Sequence, residues 1–158
     1  MAEGILQIHS APPALREHIE WAVGGIVALQ GDWLWAAQPA APGQVRAEIA
    51  FVAQPGASAL VASALARFGQ LRFEVSEERS PGADGARYSC TPSLGLLAAS
   101  VSANGDIVVP EQRLKSALGA TARDGSLRGE IRRLLGEDWD GELEPFRCAA
   151  GGFLAAAG

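Results

Sequence analysis

Along the first 78 residues the apolar positions switch between a period of two and a period of about 3.6, in the order strand, helix, strand, strand, helix, strand. Residues 5–9 read as a short strand closed by Ser10-Ala11-Pro12-Pro13. The helix that follows aligns Leu15, Ile19, Ala22, Val23 and Ile26 on one face. Residues 33–37 and 45–53 read as a hairpin around Gln38-Pro39-Ala40-Ala41-Pro42-Gly43, its second strand alternating Val45, Ala47, Ile49 and Phe51 with Arg46 and Glu48. Pro55-Gly56 opens an alanine-rich helix to Phe68, with Leu60, Ala64, Leu65 and Phe68 inward. Leu71, Phe73 and Val75 then alternate with Arg72, Glu74 and Ser76 as a fourth strand. This order predicts a ferredoxin-like βαββαβ half with an antiparallel sheet. The strand at 45–53 belongs in its middle, between those at 5–9 and 33–37.

Past a polar loop at 80–85, apolar strands are expected at 87–91 and 94–101. Asn104-Gly105 supplies the positive-φ pair of a tight turn into residues 107–109. Pro110 suits the first turn of a helix carrying Leu114, Ala117 and Leu118, and a second helix turns Leu127, Ile131, Leu134 and Leu135 inward. The expected fold is therefore α+β: the ferredoxin-like half extended by a β-hairpin and C-terminal helices. One domain is expected over residues 1–150, with a small-residue, flexible tail at 151–158.

Composition narrows the chemistry. A net charge of −5 and a pI near 5.0 oppose a nucleic-acid surface, which must neutralise many phosphates. No apolar run approaches the roughly 18 residues of a membrane span, and the N-terminus lacks the basic region of a secretory signal. Cys90 and Cys148 form no CxxC or Cys/His spacing, so neither a disulfide framework nor a metal site is indicated, and a reducing cytoplasm is expected. No cofactor motif is present, neither GxGxxG nor a Walker sequence. Gly56-Ala57-Ser58-Ala59-Leu60 resembles a nucleophile elbow but lacks its last glycine, and both histidines precede the serine; Ser58 reads as a helix-start residue.

Three constellations remain. His18 and Trp21 share a helical stripe beside the core face, to be covered by the C-terminal half or used as a pocket or partner surface. If the helices cover the sheet face of Leu6, Ile8, Val45, Ile49, Phe51, Leu71, Phe73 and Val75, the other face carries Gln7, His9, Arg46, Glu48, Arg72 and Glu74. That array reads as cross-strand charge pairs, solvated or roofed by the later strands. As a site it offers His9 as the group titrating near neutrality, with Glu48 and Glu74 as orienting carboxylates. Finally, five carboxylates in residues 137–144 surround Trp139, among them Glu142 and Glu144. They lack a cation-loop spacing and read as a solvated acidic turn, or as a docking edge for a basic partner.

Several segments carry more than fold: HSAPPAL at 9–15, DWLWAAQPAAPG at 32–43, SANGDI at 102–107 and ELEPFR at 142–147. Together they resemble a family of small cytoplasmic actinobacterial proteins known only as a domain of unknown function. The resemblance covers nearly the whole chain and assigns no catalytic residue. It implies a genomic neighbourhood of fatty-acid synthesis. The chain departs from the family pattern at Leu97-Ala98 and at 148–158.

The function expected from these observations is a non-enzymatic interaction or regulatory module with a protein partner, linked to lipid synthesis. The alternative is a small-ligand or acyl-group binding domain with enzymatic activity centred on His9 or His18.

Overall fold

A computed structural model describes residues 1–124 and 126–154. Along them run β1 (Ala2–Ala11), α1 (Arg16–Gly24), β2 (Ala28–Gln30), β3 (Ala36–Ala37), β4 (Val45–Ala53), α2 (Ala57–Ala66), β5 (Arg72–Glu77), β6 (Gly85–Thr91), β7 (Gly95–Val101), β8 (Ile107–Val108), α3 (Glu111–Asp124), α4 (Leu127–Leu135) and α5 (Glu137–Leu154). The strands form one open sheet in the order β2-β4-β1-β5-β6-β7-β8, with β3 also on the free edge of β4, and every neighbouring pair is antiparallel. The protein is thus a mixed α/β fold on an antiparallel sheet. Among the described residues no helix is long and apolar enough to cross a membrane.

Alternation in the strands sets the two faces. Leu6 and Ile8 of β1, Ile49 and Phe51 of β4, and Phe73 and Val75 of β5 are buried against Ile19 and Val23 of α1 and Val61 and Leu65 of α2. Gly4 lets this layer close, because a Cβ there would overlap the Phe51 ring and sit 2.6 Å from the Ser76 carbonyl oxygen. β4 lies between β1 on one side and β2 and β3 on the other.

The details depart from the sequence pattern in instructive ways. The strand expected at 33–37 is reduced to Ala36–Ala37; ahead of it Trp33 and Trp35 stack with ring centroids 5.4 Å apart, and the Trp35 indole donates to Glu20 Oε1. The edge is filled instead by β2, in the stretch between the expected helix and the expected strand at 33–37; α1 stops at Gly24, before Ile26. In α2 the buried stripe is Ala57, Ser58, Val61, Ala62 and Leu65, and Leu60 is 62% exposed, so the helix is rotated from the expected face. Its N-terminus fixes that rotation: Gly56, at φ +90°, and Ser58 both donate their backbone N–H to the Glu77 carboxylate, at 2.7 and 2.9 Å.

The later strands do not roof the second sheet face; they extend the sheet sideways, and α5 crosses that face instead. The expected acidic turn at 137–144 is the first two turns of this helix, where carboxylates are favoured by the exposed N–H groups and the helix dipole. Residues 151–154 of the expected tail continue α5, and 155–158 lie outside the described residues.

Candidate functional site

The second face of the sheet is built around an interruption in β1. His9 has no partner in the register of either neighbour, which shifts past Ile8 on both sides, and the alternating burial of the strand gives way to four consecutive buried residues, Ile8 to Ala11. Such a bulge redirects side chains and frees backbone groups. Gln38, itself buried, repairs the ladder: its Nε2 donates to the His9 carbonyl oxygen at 2.7 Å, and its Oε1 accepts from the Ala40 N–H at 3.0 Å. The His9 imidazole then meets Glu74, one strand over.

Glu74 is the hub. His9 Nε2 lies 2.7 Å from Oε2, Ser89 Oγ donates to Oε1 at 3.2 Å, and Arg147 of α5 binds both oxygens through Nε at 2.9 Å and Nη2 at 2.5 Å. Burial alone would raise the Glu74 carboxyl, but the His9 and Arg147 hydrogen bonds and the Arg147 charge outweigh it and hold it at about 2. Glu74 is therefore a carboxylate at neutral pH, and His9 Nε2–H is the donor. Arg147 is raised above the ordinary guanidinium range by the Glu74 hydrogen bond, against its own partial burial, and also contacts Asp140 at 3.0 Å.

Arg72 stands beside this hub, its guanidinium 4.7 Å from the Phe146 ring centre, 3.4 Å from Ser10 Oγ and 3.5 Å from Glu142. Glu142 also accepts from Thr91 and Ser93, at 3.0 and 2.5 Å, and the buried Trp139 donates its indole N–H to the Gly95 carbonyl oxygen at 2.9 Å. The stripe Trp139, Leu143, Arg147, spaced by four, seats α5 on the sheet.

The structure thus joins His9, Arg72, Glu74, Trp139 and Glu142 of the sequence candidates around α5, and leaves the others apart. Glu48 is exposed and bonded to Gln7 at 2.8 Å; Arg46 reaches the Ala37 carbonyl oxygen at 3.4 Å. Glu144 is exposed beside Arg147 and Cys148. His18 is exposed and Trp21 is 83% exposed: no described residue of the C-terminal half covers them. Arg147, Ser89 and Gln38 were missed as site residues. Only their hydrophobic spacing or polar type was visible, whereas their partners lie 73, 15 and 29 residues away.

Chemically this cluster is better suited to holding than to reacting. Both Glu74 oxygens are occupied, Ser89 donates to Glu74 rather than to the imidazole, and His9 is 5% exposed. A hydrogen-bonded nucleophile–base–carboxylate relay is therefore not assembled here. Burial pushes the Cys90 thiol up to about 11, which keeps it protonated and unreactive at neutral pH. Among the described residues no group of three or more His, Cys, Asp or Glu is placed to hold a metal ion. At the other end of the same face the sheet is open, with a groove of about 300 Å³ lined by Ile5, Ala50, Phe51 and Val52 and by Glu3 and Glu78.

No curated protein and no solved structure matches the chain. A family described as a protein of unknown function, DUF3145, matches residues 5–155, nearly the full length, so the chain belongs to that family.

Proposed function

We propose that this protein is a non-enzymatic interaction module of the cytoplasm, acting in the lipid-synthesis context that the family resemblance implies, and that it engages a protein partner through the outer face of α1. The observation that carries this reading is Trp21, 83% exposed on that helix, in a molecule that encloses Trp139. An indole left in water is a large apolar surface whose burial by a partner supplies much of an interface's affinity. The filled cluster around His9 supports the same reading, since it leaves the imidazole little access to a substrate. We read the first 78 residues as a ferredoxin-like half, in support of which the strand order β2-β4-β1-β5 can be cited.

The test is quantitative affinity purification from the native cell with the wild-type chain and Trp21→Ala as paired baits, followed by binding measurements on the partner recovered. Trp21→Ala should weaken binding by about 2 kcal/mol, chiefly through faster dissociation. Equal recovery and equal affinity would remove the surface. The alternative, a small-ligand or acyl-group binding domain, has the 300 Å³ groove in its favour, a size at the lower end for a ligand site. Saturable calorimetric binding of a medium-chain fatty acid, abolished by Ala50→Trp, would favour it.

A further inference from the structure

Over residues 111–120 the helix α3 has almost no core of its own. Among residues 111–120 Ala117 alone is buried, whereas Leu114 and Leu118, one turn apart, are 37% and 56% exposed. The next helix, α4, buries Leu134 and leaves Leu127 41% and Leu135 37% exposed, against the inward placement its sequence predicts for all of them. A helix of 14 residues is marginal in water unless an apolar face is covered. Charge singles out the same hairpin. Residues 111–135 carry six basic and three acidic side chains, in a chain whose other residues carry seven basic and fifteen acidic ones.

We propose that the α3–α4 hairpin is a docking surface for an acidic amphipathic helix of a partner protein. Apolar side chains of that helix would cover Leu114, Leu118, Leu127 and Leu135, and its carboxylates would meet Lys115, Arg132 and Arg133. Those three side chains are 60, 54 and 52% exposed and paired only at the surface, with Glu111, Glu137 and Glu130. Such pairs are worth roughly 1 kcal/mol or less, so exchanging them for a partner's carboxylates costs little. An anionic bilayer fits less well. Residues 111–135 contain no Trp, Tyr or Phe to anchor a helix in a membrane interface, and the adjoining Glu137 and Asp138 would face the headgroups' negative charge. A second copy on a two-fold axis would set this basic surface against itself. The surface is distinct from that of Trp21, since the hairpin packs through α4 on α5, which lies on the second sheet face, whereas α1 packs with α2 over the first.

The experiment uses the full chain and a labelled peptide with leucines on one helical face and glutamates on the other, read by fluorescence anisotropy against a counterpart with lysines for glutamates. The acidic peptide should bind at least about tenfold tighter than the lysine peptide and weaken as salt is raised. Leu114→Ser with Leu118→Ser, and separately Arg132→Gln with Arg133→Gln, should each weaken it by about tenfold, with circular dichroism reporting that the fold persists. Trp21→Ala should leave this binding unchanged, which separates the two surfaces. The proposal is overturned if the peptides bind alike, if neither does, if the charge variant binds as wild type, if phosphatidylglycerol vesicles are bound and the peptide is not, or if sedimentation shows the Leu114/Leu118 face buried in a dimer.

Discussion

At the scale of the residue, Glu74 decides how the second sheet face behaves. A buried pair contributes modestly while intact, but removing one member strands the other charge away from water. Arg147→Met should therefore cost about 3 kcal/mol in urea unfolding, because it leaves an 8% exposed carboxylate with only His9 and Ser89. Adding Glu74→Gln should restore part of that loss; two fully additive losses would mean that the groups do not act as a pair. The folded carboxyl sits at about 2, below its ordinary 4.5, so its contribution is fully present above pH 4.5 and is lost as pH falls toward 2. In Arg147→Met that acid-side slope should become shallower in a urea series taken across those pH values. The cysteines give a cheap check on burial: in the folded chain a thiol reagent should modify the exposed Cys148 and spare Cys90, both reacting in urea. Rapid modification of Cys90 under native conditions would contradict its environment.

At the scale of the element, α2 shows how a remote carboxylate can set a helix. Glu77 accepts from two of the N–H groups that a helix start leaves without intrahelical partners, and those bonds hold the carboxyl below its usual range against burial. Glu77→Ala should destabilise the chain by about 1–2 kcal/mol in chemical denaturation, whereas the neighbouring Glu78→Ala should have little effect. This element also marks where the sequence is legible and where it stops. The strands at 45–53 and 72–77 could be read because one buried face imposes a period of two. The face of α2 could not be, since Ala, Ser and Leu alternate too evenly to prefer a stripe and the deciding group lies 19 residues away. Likewise the apolar run from Trp33 to Ala37 looks like a strand, yet only Ala36 and Ala37 pair with β4, and Trp33 and Trp35 stack on each other ahead of that pairing. Of the candidate site, His9 and Glu74 were visible as polar positions on adjacent strands. Arg147 was hidden, because five acidic residues masked the spacing of Trp139, Leu143 and Arg147 that makes the segment a sheet-covering helix.

At the scale of the whole molecule, stability should fall off from the sheet toward the C-terminal hairpin, and this gradient is where function is expected to reside. The central strands β1, β4 and β5 bury both ladder and side chains, and α5 is tied to them by the Trp139 indole, the fully buried Leu143 and the Arg147 clamp. Between sheet and clamp the chain passes through α3, where one residue in ten from 111 to 120 is buried. Local opening free energy follows buried contact, so a segment can be loose although tighter segments precede and follow it. Hydrogen exchange read by mass spectrometry should rank β1, β4 and β5 slowest, residues 139–147 of α5 next, and residues 111–120 fastest among the helices. Binding of the acidic peptide should then slow exchange in α3 and α4 while leaving the sheet unchanged, because the cost of ordering that hairpin is met at the moment of docking. If α3 already exchanges as slowly as α5 in the free protein, its leucines are held by contacts other than those of the isolated chain, and the hairpin is not a surface awaiting a partner.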